Sequence, residues 1–206
     1  MRSLSIAVFL IAIAPLGMAG PTACYSLPGN LVANCNFQDD NFTNWTLAGN
    51  DVPGELGNLY GVEGTDPVDG ISPIVGTTQA YFSDLDANAT TLSQTLTTVV
   101  GTTYIVSFYL AQDTAVVSPY SNEFSVSFGS TSLASLTAVA VEPYTLYQYT
   151  AIATSTSTVL SFTIGNDLGE FLLDDISVQT PEPSAWALAL VGGLVCFQRR
   201  LRRKKH

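Results

Sequence analysis

Thr103-Tyr104-Ile105-Val106-Ser107-Phe108-Tyr109-Leu110 is the stretch that decides the fold class of this chain. Tyr104, Val106, Phe108 and Leu110 recur at every second position, with Thr103, Ser107 and Tyr109 between them. Successive side chains of a β-strand point to opposite faces of the sheet, so this is a strand with one apolar face. The same period recurs further along. Phe124, Val126 and Phe128 alternate with Glu123, Ser125 and Ser127, and Leu160, Phe162 and Ile164 alternate with Ser161 and Thr163. Leu92 and Leu96 flank Gln94 in a Thr/Ser-rich run. Turn-forming residues separate these runs, as in Val100-Gly101-Thr102, Phe128-Gly129-Ser130, Glu142-Pro143 and Gly165-Asn166-Asp167-Leu168-Gly169. No stretch between Thr22 and Thr180 carries a helical period. Short amphipathic strands at this spacing predict an all-β fold, a two-sheet antiparallel β-sandwich with jelly-roll topology. Residues 52–76, rich in Gly, Pro and Asp, read as a binding or Ω-like loop over one sheet, with a short strand near 59–62.

Outward from this domain, both ends of the chain differ in kind. Arg2 precedes an apolar run at residues 4–16 and the small residues Gly17, Ala19 and Gly20. That order describes a secretory signal helix with a cut after Ala19. A buried N-terminal helix is the competing reading, and a lipoprotein cut before Cys24 is disfavoured because Pro21-Thr22-Ala23 lacks an upstream aliphatic residue. The predicted division is a signal peptide at 1–19, a β-sandwich domain at 20–180 and a tail at 181–206.

The tail has three parts. Pro181, Glu182 and Pro183 come first, then an apolar stretch at 185–197, then a basic end with Arg199, Arg200, Arg202 and Arg203. The apolar stretch is shorter than the roughly 20 residues of a comfortable transmembrane helix. The arginines act as a membrane stop, holding their end on the cytoplasmic side. This order resembles the PEP-CTERM sorting signal of Gram-negative bacteria, and the resemblance covers residues 181–206. It implies a single transmembrane sorting helix, transient anchoring in the inner membrane, cleavage near Pro181-Glu182-Pro183 by an exosortase, and delivery to the cell surface or extracellular matrix. The chain departs from the pattern in carrying Cys196 inside a rather short helix.

Charge narrows the chemistry. The chain has seven Lys plus Arg, seventeen Asp plus Glu and one His. Apart from Arg2, every basic side chain lies at or after Arg199, so the sandwich contains none, while sixteen of the acids fall within it. Ser-His-Asp and Cys-His catalysis are therefore excluded, as are Schiff-base lysines, phosphate-clamping arginines and His-based zinc sites. Nucleic acid is excluded as a partner, because neutralising phosphates needs basic residues. Paired-carboxylate glycosidase chemistry is the one enzymatic option left. Cys24 and Cys35 are the only cysteines of the domain. In an oxidising compartment an isolated close pair becomes one disulfide, with a pair of free thiols as the alternative.

Two further segments carry a second resemblance. Asn30-Leu31-Val32-Ala33-Asn34-Cys35-Asn36-Phe37-Gln38 with Phe42-Thr43-Asn44-Trp45 resembles the opening strands of carbohydrate-binding-module-like jelly rolls. Tyr147-Gln148-Tyr149-Thr150, then Asn166-Asp167 and Phe171-Leu172-Leu173-Asp174-Asp175-Ile176-Ser177-Val178, resembles their closing strands. The resemblance spans nearly all of the domain and implies a galactose-binding-like sandwich, often with a structural Ca²⁺ joining first and last strands. On this chain the implied ligands are Asp174, Asp175 and Gln38, the last standing where relatives often carry glutamate. Strand alternation lets only one of the two aspartates point inward.

Sugar binding by a sandwich needs aromatic platforms beside amide and carboxylate partners. Tyr60 and Tyr120 in Gly/Pro-rich loops, and Tyr109 and Tyr147 on an exposed sheet face, are the candidates. Trp45 reads as core. The expected function is that of a non-enzymatic exported protein whose sandwich binds or associates with extracellular polysaccharide. A purely structural surface or biofilm protein and a carboxylate-only glycosidase are the alternatives.

Overall fold

The apolar faces read from the sequence are buried against one another. The computed structural model describes residues 22–49, 60–66, 70–83, 89–115, 121–167 and 169–181. The signal peptide, Glu182, Pro183, the apolar stretch, the basic end and Tyr120 lie outside these residues. Among the described residues no helix is long and apolar enough to cross a membrane.

Two antiparallel sheets make a β-sandwich. The first orders its strands β1 (Thr46–Ala48), β4 (Thr90–Thr97), β9 (Ser157–Asn166), β6 (Asn122–Phe128) and β7 (Thr131–Thr137). The second orders β2 (Tyr60–Glu63), β3 (Gln79–Phe82), β10 (Phe171–Gln179), β5 (Thr103–Gln112) and β8 (Glu142–Ile152). Strand β5 buries the four residues its period assigns, Tyr104, Val106, Phe108 and Leu110, and β6 and β9 face it with Phe124, Val126, Phe128, Leu160, Phe162 and Ile164. At the centre the Phe108 ring stacks on Tyr147 at 5.5 Å and meets Phe162 edge-on at 5.3 Å. Trp45 is buried as expected, packing on Phe37 and Phe162, with its indole N–H donated to the Asn34 carbonyl at 3.1 Å.

Two expectations are corrected. The first concerns residues 30–38, which form turns rather than an opening strand. Asn34 and Phe37 have φ of 47° and 56°, left-handed values that interrupt extended backbone. The segment is instead held piecewise. The buried Gln94 side chain takes the Ala33 N–H and donates to the Ala33 carbonyl, as a neighbouring strand would. Leu31 N–H donates to the Val178 carbonyl and Ile176 N–H to the Cys35 carbonyl. A disulfide between Cys24 and Cys35, with Cα atoms 6.2 Å apart, closes this segment against β10.

The second correction concerns β10, where both aspartates are buried, Asp174 at 0% and Asp175 at 5% exposure. Pairing with β5 slips between Asp174 and Ser177, and Asp175 sits at φ 52°. Asp174 stays on the outward face beside Tyr109 and is covered there by the N–H groups of Ile74 and Val75, while Asp175, in the bulge, is enclosed against Cys24.

Candidate ligand site on the second sheet

The outward face of the second sheet is a hydrogen-bonded polar floor partly roofed by residues 70–76. Register places Gly61 opposite Tyr81, Tyr81 opposite Leu172, and Leu172 opposite Ala111. On the next row of β2 and β3, Glu63 lies opposite Gln79. Gln79 is fully buried. Its amide donates to Glu63 Oε1 at 3.3 Å and to the Ile71 carbonyl at 3.1 Å, while its carbonyl accepts the Tyr144 hydroxyl at 2.9 Å. The roof is tied down by Asp174 Oδ2, which accepts the N–H groups of Ile74 and Val75 at 2.9 and 3.2 Å.

At one end of this floor three carboxylates meet. Oxygens of Glu63, Asp66 and Glu170 lie within 4.8 Å of one another. Asp113 sets the position of Glu170, accepting its N–H on Oδ1 at 2.6 Å and donating its own N–H to the Glu170 carbonyl. Burial raises the Glu63 carboxyl above the ordinary glutamate value, against the pull of the Gln79 hydrogen bond and with further lifting by Asp66 and Asp113. Tyr81 stands beside the cluster, its phenol raised by burial and by the charges of Glu170 and Glu63. A Cβ on Gly61 would fall 2.5 Å from the Tyr81 ring, so only glycine lets that ring lie across β2. The result is a half-buried aromatic ring flanked by carboxylate acceptors and an amide, a combination able to take both the apolar face and the hydroxyls of a sugar.

No family profile matches the sequence, and no curated protein matches it either. Likeness is found among solved structures, in fold. The carbohydrate-binding module TmCBM61, solved in complex with beta-1,4-galactotriose, superposes at a TM-score of 0.52 and 18% identity, covering 74% of this chain and 99% of that one. This sandwich has the fold of a carbohydrate-binding module. The enzymatically active domain of bacteriophage CBA120 tailspike protein 4 superposes at a TM-score of 0.53 and 16% identity over 74% of this chain, but the match spans only 21% of the tailspike chain.

On this carbohydrate-binding-module-like fold three of the tyrosines chosen from the sequence, Tyr60, Tyr109 and Tyr147, do not assemble, and the fourth, Tyr120, lies outside the described residues. Tyr60 opens β2 rather than lying in a loop, and its ring packs inward on Phe42 and Phe82. Tyr109 and Tyr147 lie on opposite faces of the second sheet, since Tyr147 pairs with Phe108 and Tyr109 with Leu146. Tyr147 is engaged by the Phe108 stack, and its hydroxyl donates to Glu142 at 2.8 Å. Burial and Glu142 push that phenol up to about 12. Tyr109 faces outward, half-buried, with its phenol raised by burial and by Asp175. The tyrosine at the carboxylate cluster is Tyr81, which period-2 reading could assign to a strand but not to Gly61 and Glu170.

The residues expected to hold Ca²⁺ are already engaged by protein donors. Besides the two N–H groups on Oδ2, Asp174 Oδ1 accepts the Asp175 N–H at 2.7 Å, and Asp175 Oδ1 accepts the Cys24 N–H at 2.6 Å. Gln38 Oε1 accepts the N–H and hydroxyl of Thr77, while its amide donates to Thr78 Oγ1 at 2.6 Å and to the Asn36 carbonyl at 3.1 Å. Ca²⁺ takes six to eight oxygen ligands. Here three of the four carboxylate oxygens accept protein N–H groups, and the Gln38 NH₂ is turned to Thr78 and the Asn36 carbonyl. The set does not fit a calcium ion, and the tie between the N-terminal segment and β10 is made by hydrogen bonds.

Proposed function

We propose that this chain is a non-enzymatic exported protein whose sandwich associates with neutral extracellular polysaccharide at the Tyr81 cluster. The observation that carries the reading is the Tyr81 ring laid over Gly61 beside Glu63 and Glu170. Sugar hydroxyls donate to the carboxylates while the ring supplies an apolar contact. A domain with sixteen acids and no base repels acidic polymers, so a neutral glycan is the fitting partner. The fold shared with a module solved with a galactotriose supports the class of ligand.

The test is affinity electrophoresis through neutral polysaccharides, beta-1,4-galactan among them. The wild-type protein should be retarded, and Tyr81→Ala and Glu170→Gln should each weaken binding about tenfold or more, near 1.4 kcal/mol. Tyr147→Phe should bind as wild type. Mobility that no polysaccharide changes would leave the structural-protein reading standing. Carboxylate oxygens of Glu63 and Glu170 lie within 4.8 Å of each other, close enough for the paired-carboxylate chemistry of a glycosidase. Reducing-sugar release lost in Glu170→Gln would replace binding by hydrolysis.

The tail supports the second half of the proposal. Pro181-Glu182-Pro183, the apolar stretch and the arginines suit insertion in the inner membrane, cleavage by an exosortase and release to the surface or matrix. Intact-mass measurement on protein from the native host's matrix should show residues 1–19 and the basic end missing. Retention of Arg199 through His206 on the extracellular product would sink the sorting scheme.

A further inference from the structure

The geometry points to the free edge of β8 as a self-association surface, where a second copy of this chain adds its own β8 in antiparallel pairing. This inference is independent of the ligand reading. Among the described residues the two sheets present four edge strands: β1, β2 and β7 are 3, 4 and 7 residues long, and β8 is 11. An edge strand offers a row of unpaired N–H and C=O groups, and proteins that stay apart blunt long edges with charges, proline or bulges. Strand β8 has Pro143 only at its second position, and a register slip opposite Leu110 and Gln112 only near its start. From Thr145 to Ile152 it carries none of these devices.

Side chains along this edge point the same way. Among the described residues seven large hydrophobics are exposed. Leu146 and Ile152 lie on β8, Val141 directly precedes it, and Val99 and Val100 sit in the turn whose residues Gly101 and Thr102 hydrogen-bond to Ala153 at its end. Five of the seven thus lie on or beside one strand, where exposed apolar side chains favour association.

Charge selects the occupant. The domain is acidic throughout and has no base, so two copies repel wherever their acids face each other. Between Glu142 and Asp167 there is no charged residue, which makes this edge the approach with least repulsion. A basic partner would be drawn instead to the carboxylate-bearing faces. Two identical antiparallel strands are self-complementary, which is the requirement of a two-fold contact.

Sedimentation of the full-length chain, in detergent micelles that shield its apolar tail, tests this. The weight-average mass should climb towards a dimer with concentration, and association should tighten as NaCl screens the acids. The Leu146→Glu/Ile152→Glu variant, altered at side chains 50% and 57% exposed, should associate at least tenfold more weakly while keeping the wild-type melting temperature within a few degrees. A Leu146→Lys/Ile152→Lys variant should pair with the Glu variant, which shows that the edges meet even if one variant folds poorly. A monomer at every concentration overturns the proposal. So does equal association of the Glu variant, which would assign contact to the tail or another face, or association weakened by salt, which would mean an electrostatic contact.

Discussion

Lowering the pH from about 8 to about 5 should stabilise this sandwich rather than loosen it. Asp174 is fully buried, and burial pushes its carboxyl from 3.8 up to about 7, against three backbone N–H donors from Val75, Asp175 and Ile74 and with some help from the charge of Asp175. The folded state therefore holds this proton more tightly than the unfolded chain does. Its contribution is complete below about pH 4 and is lost as the pH rises through about 7, at about 1.4 kcal/mol per pH unit for each proton taken up. Across that window the change is on the order of 4 kcal/mol. Asp175 and Glu63 are raised by burial as well and add in the same direction. No lysine, arginine or histidine in the domain opposes them.

Urea midpoints measured at constant ionic strength should accordingly fall from pH 5 to pH 8, and Asp174→Asn should flatten the curve. Asparagine leaves at least one of the three N–H donors facing an NH₂ group, so this variant should also be weaker overall. Stability that increases with pH would mean that the N–H donors outweigh burial and hold Asp174 ionised.

Replacing Phe108 by alanine should cost about 3–5 kcal/mol, the usual loss for emptying a large aromatic site. Phe108 is fully buried and its ring contacts Phe124, Tyr147, Tyr149 and Phe162. These partners come from three strands besides its own, β6, β8 and β9, so no single side chain can move in to refill the space. The melting temperature should drop by roughly 10 °C, with the urea slope unchanged if the unfolding remains two-state. A loss below about 1 kcal/mol would show that the sheets can close over the gap, and would remove Phe108 from the centre of the core.

The strands that organise the core were legible because their signal is local. The alternation in β4, β5, β6 and β9 names the buried residues directly, and Trp45 followed from size and placement. Strand β7, Thr131-Ser132-Leu133-Ala134-Ser135-Leu136-Thr137, has small side chains and little contrast between its faces, so nothing in its sequence marks it. What escaped reading depends on pairing across the chain. The bulge that follows Asp174 is a mismatch between β10 and β5, and the cover over Asp174 comes from Ile74 and Val75, about a hundred positions away. The site tyrosine is set by Gly61 opposite Tyr81, and Glu170 joins it through Asp113, from far along the sequence. Tyr60 read as a residue of a Gly/Pro-rich loop and Tyr147 as one on an exposed sheet face, yet their rings lie on Phe82 and Phe108.

The placement of β10 also settles how the molecule bears tension. Gln179 ends that strand, and the tail begins just beyond it. A pull on the tail is therefore delivered to an interior strand. On one side β10 is bonded to β5 along its length. On the other it is gripped first by β3 at Phe171–Leu173, then by the N-terminal segment, through Cys35 to Ile176 and through Leu31 and Asn30 to Val178. Load along the strand would have to shear these rows together rather than peel one bond at a time, and the Cys24–Cys35 link keeps the gripping segment from unreeling. Under the proposed anchoring, the domain would hang from an interior strand clamped on both sides.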